Sequence, residues 1–540
     1  METPGITRRD ALKMGVLSAA ALTFPLAGPL RAKEASELDK DRIPRPYTLA
    51  FRRPPVLRPV GRMDGRDVYV MTQQQVRRQI LPGVATTVFA YNGTVPGPTI
   101  RVPRNRPVIV RQINALPAKH PTRGYVPWTS THLHSGASLP QFDGYASDIS
   151  LPGQYKDYFY DNTETARTLW YHDHGVHHTA ENVYMGLAGQ YHVLDGRENA
   201  LGLPRGRYDV PVMISDAAFA ANGELLFDDN GENGVMGDVI LVNGRPWPVL
   251  QVEPRKYRLR LHAASIARGF TLRLTRGAVM VVVATEGGLV PQAQPVERLR
   301  IGMAERYDVV VDFAPFAGEQ VEMRNDGVDN SIDYDDTDKV MAFQVGSVVT
   351  DPTNNELPTV LNPGSPVTAL REEEAVRTRH LEFHRQNGLW VINDHTWEDV
   401  VRSGYRKAIA DPAPGDVEIW KFTTSGGWFH PVHMHLTDFK ILDRDGKDPE
   451  PQELGAKETV YLAEGEEIRV IAEFGSVLGT NPDQSEIRRS GRYMIHCHNV
   501  SHEDHDMMTQ FWVGGEGAGP DPITTAPPKP LPAPPVPPIT

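Results

Sequence analysis

Four short runs concentrate the residues able to hold a metal: His132-Leu133-His134, His172-Asp173-His174, His430-Pro431-Val432-His433-Met434-His435, and His496-Cys497-His498 with His502 close behind. They hold ten of the chain's 19 histidines, where uniform scatter would put less than one. Isolated histidines are ordinarily packed or surface residues, and His120, His192, His262 and His380 read that way. Ten in this arrangement read as metal ligands. Residues i and i+2 of a strand face one side, so each His-x-His pair presents two imidazoles in one direction. In His496-Cys497-His498 the imidazoles then point one way and the thiolate the other. One strand would link two sites through a few covalent bonds, a path for electrons. A thiolate with two imidazoles and a weak axial thioether is the blue-copper ligand set. Cys497, His502 and Met507 can supply most of it from one loop, and His430 can complete it. Zinc also takes Cys and His, but eight further imidazoles exceed an ordinary zinc site.

These motifs need strands to carry them. Ala90-Tyr91-Asn92-Gly93, Leu241-Val242-Asn243-Gly244 and Val391-Ile392-Asn393-Asp394 each end an apolar run with a hairpin-turn dipeptide. The asparagines lie 151 and 150 residues apart, and each turn precedes a proline-led apolar segment, at Pro103, Pro254 and Pro414. Helical periodicity is scarce, while 47 Gly and 46 Pro punctuate the chain. An all-β protein of three similar sandwich domains follows, over 45–200, 205–350 and 380–515. The proline-bearing stretch 351–379 reads as a linker. Residues 516–540, with ten prolines after Gly519, read as an extended, disordered tail.

Composition narrows the partners. A net charge of −12 argues against nucleic acid, which needs a basic surface. The single cysteine forbids an intramolecular disulfide. Arg8-Arg9 before a mild apolar run, Met14 to Ala27, reads as a twin-arginine (Tat) export signal over 1–32, cut near Ala32. That run is too short to span a bilayer, so no stable membrane insertion is expected. Export through the Tat translocase places the protein in the periplasm or outside the cell.

All four histidine motifs, in this order, make the chain resemble the multicopper oxidases. Asp143-Gly144-Tyr145, Thr168 to His174, Glu253 to Arg258, Met303 to Tyr307, Tyr334 to Met341 and His496 to Met508 bring it nearest the bilirubin oxidase and spore-coat laccase branch. The resemblance runs from about Tyr47 to Val513. It implies cupredoxin-like Greek-key domains, a monomer and four copper ions. Type 1 copper would take His430, Cys497, His502 and Met507, with Met508 the competing axial residue. Type 2 would take His132 and His433. The type 3 pair would take His134, His172, His174, His435, His496 and His498. Ser135 departs from the glycine common after the second histidine, with Gly136 one place later.

The implied reaction is one-electron oxidation of phenols, aromatic amines or tetrapyrroles beside exposed edges of the type 1 histidines, coupled to four-electron reduction of O2 to water. Cys497 would carry the electrons, and Asp143 and Glu503 would supply protons. Asp504, His505 and Asp506 would shape the loop. Trp428, two residues before His430, is a candidate for the donor site or for packing, and His177 and His178 read as an exposed pair rather than as ligands of extra copper. Two other readings compete. A cuprous oxidase for copper tolerance typically carries a methionine-rich insert, and Asp351 to Trp390 contains no methionine. Non-enzymatic envelope proteins of this architecture lack the copper ligands, which are all present here.

Overall fold

Asn92-Gly93, Asn243-Gly244 and Asn393-Asp394 each place two successive residues at positive φ, the type I′ geometry of a tight hairpin. The asparagine braces its domain identically each time. Its Oδ1 accepts from Thr72 N, Met213 N and Glu382 N at 2.7, 2.9 and 2.7 Å. Its Nδ2 donates to Val70 O, Pro211 O and His380 O at 2.9, 2.9 and 2.8 Å. The strand so braced then pairs in parallel with the proline-led strand: Arg66–Arg78 with Val108–Ala115, Asp209–Ala217 with Lys256–Ala263, and Arg377–Gln386 with Val417–Ser425. These observations come from a computed structural model describing residues 34–425, 427–481 and 486–539. The twin-arginine segment lies outside the described residues.

Each repeat forms a cupredoxin-like sandwich of two sheets around its own apolar core. In the first and third domains the smaller sheet has four strands, and these two sheets carry the histidine motifs. One is ordered Ile100–Pro103, Ala188–Leu194, Arg167–Asp173, Thr131–His134; the other Thr459–Leu462, His430–Met434, Gly491–Cys497, Met508–Val513. The second domain packs against both of these domains through a polar face. On Lys256–Ala263, Leu259 and Leu261 enter the core. The alternate residues Arg258 and Arg260 are buried and paired: Arg260 Nε donates to Asp209 at 2.6 Å and its Nη1 to Thr168 of the first domain at 2.9 Å. Leaving such a buried charge without its partner costs about 3–5 kcal/mol.

Two segments depart from the expected boundaries. Residues 34 to about 51 belong with the second domain: Leu49–Ala50 pairs in parallel with Pro248–Val249, Leu38 enters that core, and Ser36 N donates to Asp238 at 3.0 Å. A two-residue edge strand has no periodicity from which to read it. The proline-rich segment also corrects the expectation of a disordered tail. It is extended, but it is docked along the first domain. Lys529–Pro530 pairs antiparallel with Gln154 and Tyr155, and Leu531 N donates to Gly153 O at 2.9 Å. Arg111 Nη1 donates to Pro534 O at 2.6 Å and Arg62 N to Pro537 O at 2.9 Å. Proline lacks the N–H but keeps its carbonyl, so the prolines of such a segment can still be held as acceptors. Among the described residues no helix is long and apolar enough to cross a membrane.

Candidate metal centre

Strand alternation sorts the ligand atoms into two sites. Along Gly491–Cys497, Tyr493, Ile495 and Cys497 face the third-domain core, while Met494 turns to Tyr145 and Ala146 of the first domain. His496 shares the parity of Met494 and faces the first domain too. On His430–Met434, Val432 and Met434 face the core with Cys497, and His430 keeps their parity. His433, of opposite parity, lies across the ladder from His496. The sulfur site is compact: Cys497 Sγ is 3.4 Å from His430 Nδ1 and 3.7 Å from His502 Nδ1, and these nitrogens are 3.3 Å apart. Met507 is fully buried in the apolar cluster of Cys497, whereas Met508 packs with Tyr145 and Trp397.

The other eight histidines meet between the first and third domains. His132 is the cross-strand partner of His172. His174, His435 and His498 each lie just beyond a strand end. The ligand nitrogens form buried triads His132–His433–His435, His134–His172–His498 and His174–His435–His496. Nε2 atoms face one another at 3.4 Å for His433–His132, 3.2 Å for His174–His496 and 3.3 Å for His435–His496. Two nitrogens about 2.0–2.1 Å from one first-row ion stand roughly 3.3 Å apart at a tetrahedral edge, so the spacing suits shared metals. The Nε2 atoms of His134, His172 and His498 are buried without a hydrogen-bond partner, a costly state that a metal relieves. The donor set therefore fits copper at both places.

Electrostatics agree. Burial, reinforced by neighbouring imidazoles, holds His132, His134, His172, His435, His496, His498 and His502 well below the usual histidine range. The same burial brings His174 to about 4 and His430 to about 3. Neutral imidazoles offer free lone pairs at neutral pH. Burial pushes the Cys497 thiol well up, so its thiolate forms only against a cation.

Asp143 and Glu503 stand behind the cluster. Asp143 Oδ2 accepts from His435 Nδ1 at 2.7 Å, and its backbone carbonyl from His132 Nδ1 at 2.5 Å. Glu503 Oε2 lies 3.0 Å from His496 Nδ1 and Oε1 3.5 Å from His174 Nδ1. Burial raises both carboxyls above their ordinary range. Asp504 does shape the loop, accepting from Thr179 N and Ala180 N at 3.1 and 2.7 Å, and His505 meets Asp229 at 3.3 Å. Ser135 sits at φ +70°, the left-handed conformation that makes glycine apt there, and its hydroxyl accepts from Arg306. His178 is stacked on Tyr125 at 3.6 Å between ring centroids, while His177 is exposed.

Sequence reasoning missed a third carboxylate, Glu458. It is buried against His433 Nδ1, lies 3.1 Å from His134 Nδ1, and accepts from Arg306 Nη1 at 2.6 Å. Burial alone would raise its pKa, but Arg306 and His433 hold it well below the usual range. Its one signal was an acid two residues before an apolar strand residue, which any edge could show. The expected exposed edge at the sulfur site is absent: His430 and His502 are fully buried. Trp390 stacks on His502 at 4.0 Å, and its Nε1 donates to Glu232 O at 3.0 Å. Asn499, 3.1 Å from His502 Nε2, donates to Asn233 O at 2.9 Å. A second-domain loop thus closes over a third-domain site, an arrangement no local pattern announces. Trp428, outside the strand, is half-buried with its ring 6.3 Å from that of His502.

Residues 72–198, 209–329 and 384–516 match family models described as multicopper oxidase. The bilirubin oxidase of Albifimbria verrucaria is 37% identical over 493 residues, covering 86% of this chain and 81% of that protein. The laccase of Bacillus subtilis strain 168 is 32% identical over 515 residues, covering 84% and 96%. Among solved structures, the McoA multicopper oxidase of the hyperthermophile Aquifex aeolicus superposes with a TM-score of 0.75 at 26% identity, covering 86% of this chain and 99% of that one.

Proposed function

This chain belongs to the multicopper oxidase family, and on that premise we propose that it takes single electrons from small aromatic donors beside His502 and passes them to dioxygen at the eight-histidine cluster. Phenols, aromatic amines and tetrapyrroles are the proposed donor classes. His430, Cys497, His502 and Met507 are the proposed type 1 ligands, His132 and His433 the type 2 ligands, and the other six cluster histidines hold the type 3 pair. Copper bound there supplies one-electron uptake at the sulfur site and four-electron reduction of dioxygen to water at the cluster.

The residues contribute three things. Cys497 faces His430 and His502 while its chain neighbours His496 and His498 face the cluster, so the peptide itself joins the two sites. That juxtaposition is the observation that carries the reading. Trp390 is buried against His502, and the half-buried Trp428, 6.3 Å from His502 between ring centroids, gives a donor an aromatic surface to approach. Asp143 Oδ1 and both oxygens of Glu503 are buried without hydrogen-bond partners, so each carboxyl can hold a proton beside the cluster.

Steady-state rates with bilirubin, a dimethoxyphenol, an aromatic amine and Cu(I) test the donor class. Turnover confined to Cu(I) would overturn the aromatic-donor reading. Export through the twin-arginine route belongs to the same proposal. Replacing Arg8 and Arg9 by lysine should leave the enzyme in the cytoplasm, and normal secretion of that variant would refute it.

A further inference from the structure

The chain holds six Asn-Gly dipeptides, starting at Asn92, Asn222, Asn230, Asn233, Asn243 and Asn387. In such a pair the carboxamide carbon can close a five-membered ring with the next backbone nitrogen, and glycine puts no side chain in the way. Five of these amides are tied by hydrogen bonds. Asn92 and Asn243 hold the brace described above through both side-chain polar atoms. Asn222 Oδ1 accepts from Glu224 N at 3.0 Å, Asn230 Nδ2 donates to Gly234 O at 2.8 Å, and Asn233 Nδ2 donates to Asn230 O at 3.0 Å. Asn387 differs. With Gly388 it forms the exposed two-residue turn between Arg377–Gln386 and Leu389–Ile392, at φ +52° and +86°. Among the described residues neither its carboxamide nor Gly388 N has a hydrogen-bond partner, and a Cβ added to Gly388 would meet nothing within 4 Å.

That turn lies at the end of a hairpin with a task. Arg385 and Trp390, cross-strand partners on either side of it, both fasten the second-domain loop that covers His502. Arg385 Nη2 donates to Glu232 Oε2 at 3.0 Å, and Trp390 Nε1 donates to Glu232 O at 3.0 Å. Arg385 also donates to Gly388 O at 3.4 Å. We propose that Asn387 is a self-modification site, converted to aspartate or isoaspartate, and that its conversion loosens the loop over His502. Gly388 N attacks Asn387 Cγ: the N–Cγ bond forms, the Cγ–Nδ2 bond breaks, and ammonia leaves carrying the Gly388 amide proton. Water then opens the cyclic imide at one carbonyl or the other, and nothing is oxidised or reduced. Either product sets a carboxylate two residues from Arg385, where it competes with Glu232 for the guanidinium. Isoaspartate also lengthens the turn by one backbone atom, which disturbs the register a two-residue turn fixes.

Peptide mass mapping of the full-length, copper-loaded protein, kept warm at mildly alkaline pH, tests the chemistry. Asn387 should gain the mass of an amide-to-acid exchange at least about tenfold faster than Asn92 or Asn243, each of which must first break two hydrogen bonds. Asn387→Gln, whose carboxamide lies one methylene further out, should stop the conversion. Hydrogen exchange over residues 229–234 should quicken about threefold or more in the converted protein and in Asn387→Asp, and keep the wild-type rate in Asn387→Gln. No conversion at Asn387, or equal conversion at the braced asparagines, overturns the proposal. So does conversion that leaves exchange in that loop unchanged.

Discussion

Glu458→Gln keeps the size of the side chain and removes its charge, at a point where three partners depend on it. The Arg306 guanidinium is fully buried and, among the described residues, has Glu458 as its only carboxylate hydrogen-bond partner, at 2.6 Å, beside the carbonyls of Thr168 and Ala304 and the Ser135 hydroxyl. Breaking a buried pair from one side costs about 3–5 kcal/mol. The neutral amide still accepts one hydrogen bond, so the lower end, about 3 kcal/mol, is expected. For a unit of ~150 residues this lowers the melting temperature by roughly 6–12 °C. The same carboxylate faces the Nδ1 atoms of His433 and His134, which fixes their Nε2 atoms as the metal-facing ones. Losing such an outer partner typically weakens metal binding about 10–100-fold. Melting of the metal-free protein and copper titration against a competing chelator read the two effects separately. A variant that melts like the wild type and binds copper equally well would refute the reasoning. Lower stability with unaltered copper affinity would confine Glu458 to supporting Arg306.

Copper-loaded protein should be blue with about four coppers, and Cys497→Ser should lose the thiolate-to-copper absorption while keeping the cluster metals, as visible spectra and metal analysis will read. Met507→Leu should raise the type 1 reduction potential, because a thioether stabilises Cu(II). A shift on Met508→Leu instead would move the ligand by one residue. Asp143→Asn and Glu503→Gln should slow reoxidation by oxygen about tenfold or more, leaving anaerobic bleaching by donor unchanged in stopped flow. The reverse pattern would place these acids on the donor side.

The sequence showed much of the site because strand parity is local. The histidine spacings and the lone cysteine between two of them place thiolate and imidazoles on opposite faces, and the brace made by Asn92, Asn243 and Asn393 is the turn signal itself. What stayed hidden was contributed from elsewhere in the chain. Glu458 acts through Arg306 of another domain, and the cover over His502 comes from the loop holding Glu232 and Asn233. The docked proline segment misled for a different reason. Its composition describes a chain that cannot build a core, and it needs none when Arg111 and the edge strand Gln154–Tyr160 supply the partners.

That docked segment also settles what the first domain shows to other molecules. Without it, Gln154–Tyr160 would be the bare rim of a sheet, the template on which proteins stack into dimers and fibrils. Lys529–Pro530 occupies the rim, and Leu531 spends its N–H inward on Gly153. The prolines that follow have no N–H to offer outward. At Gln154 and Tyr155, therefore, the ladder ends on a segment with few donors to continue it.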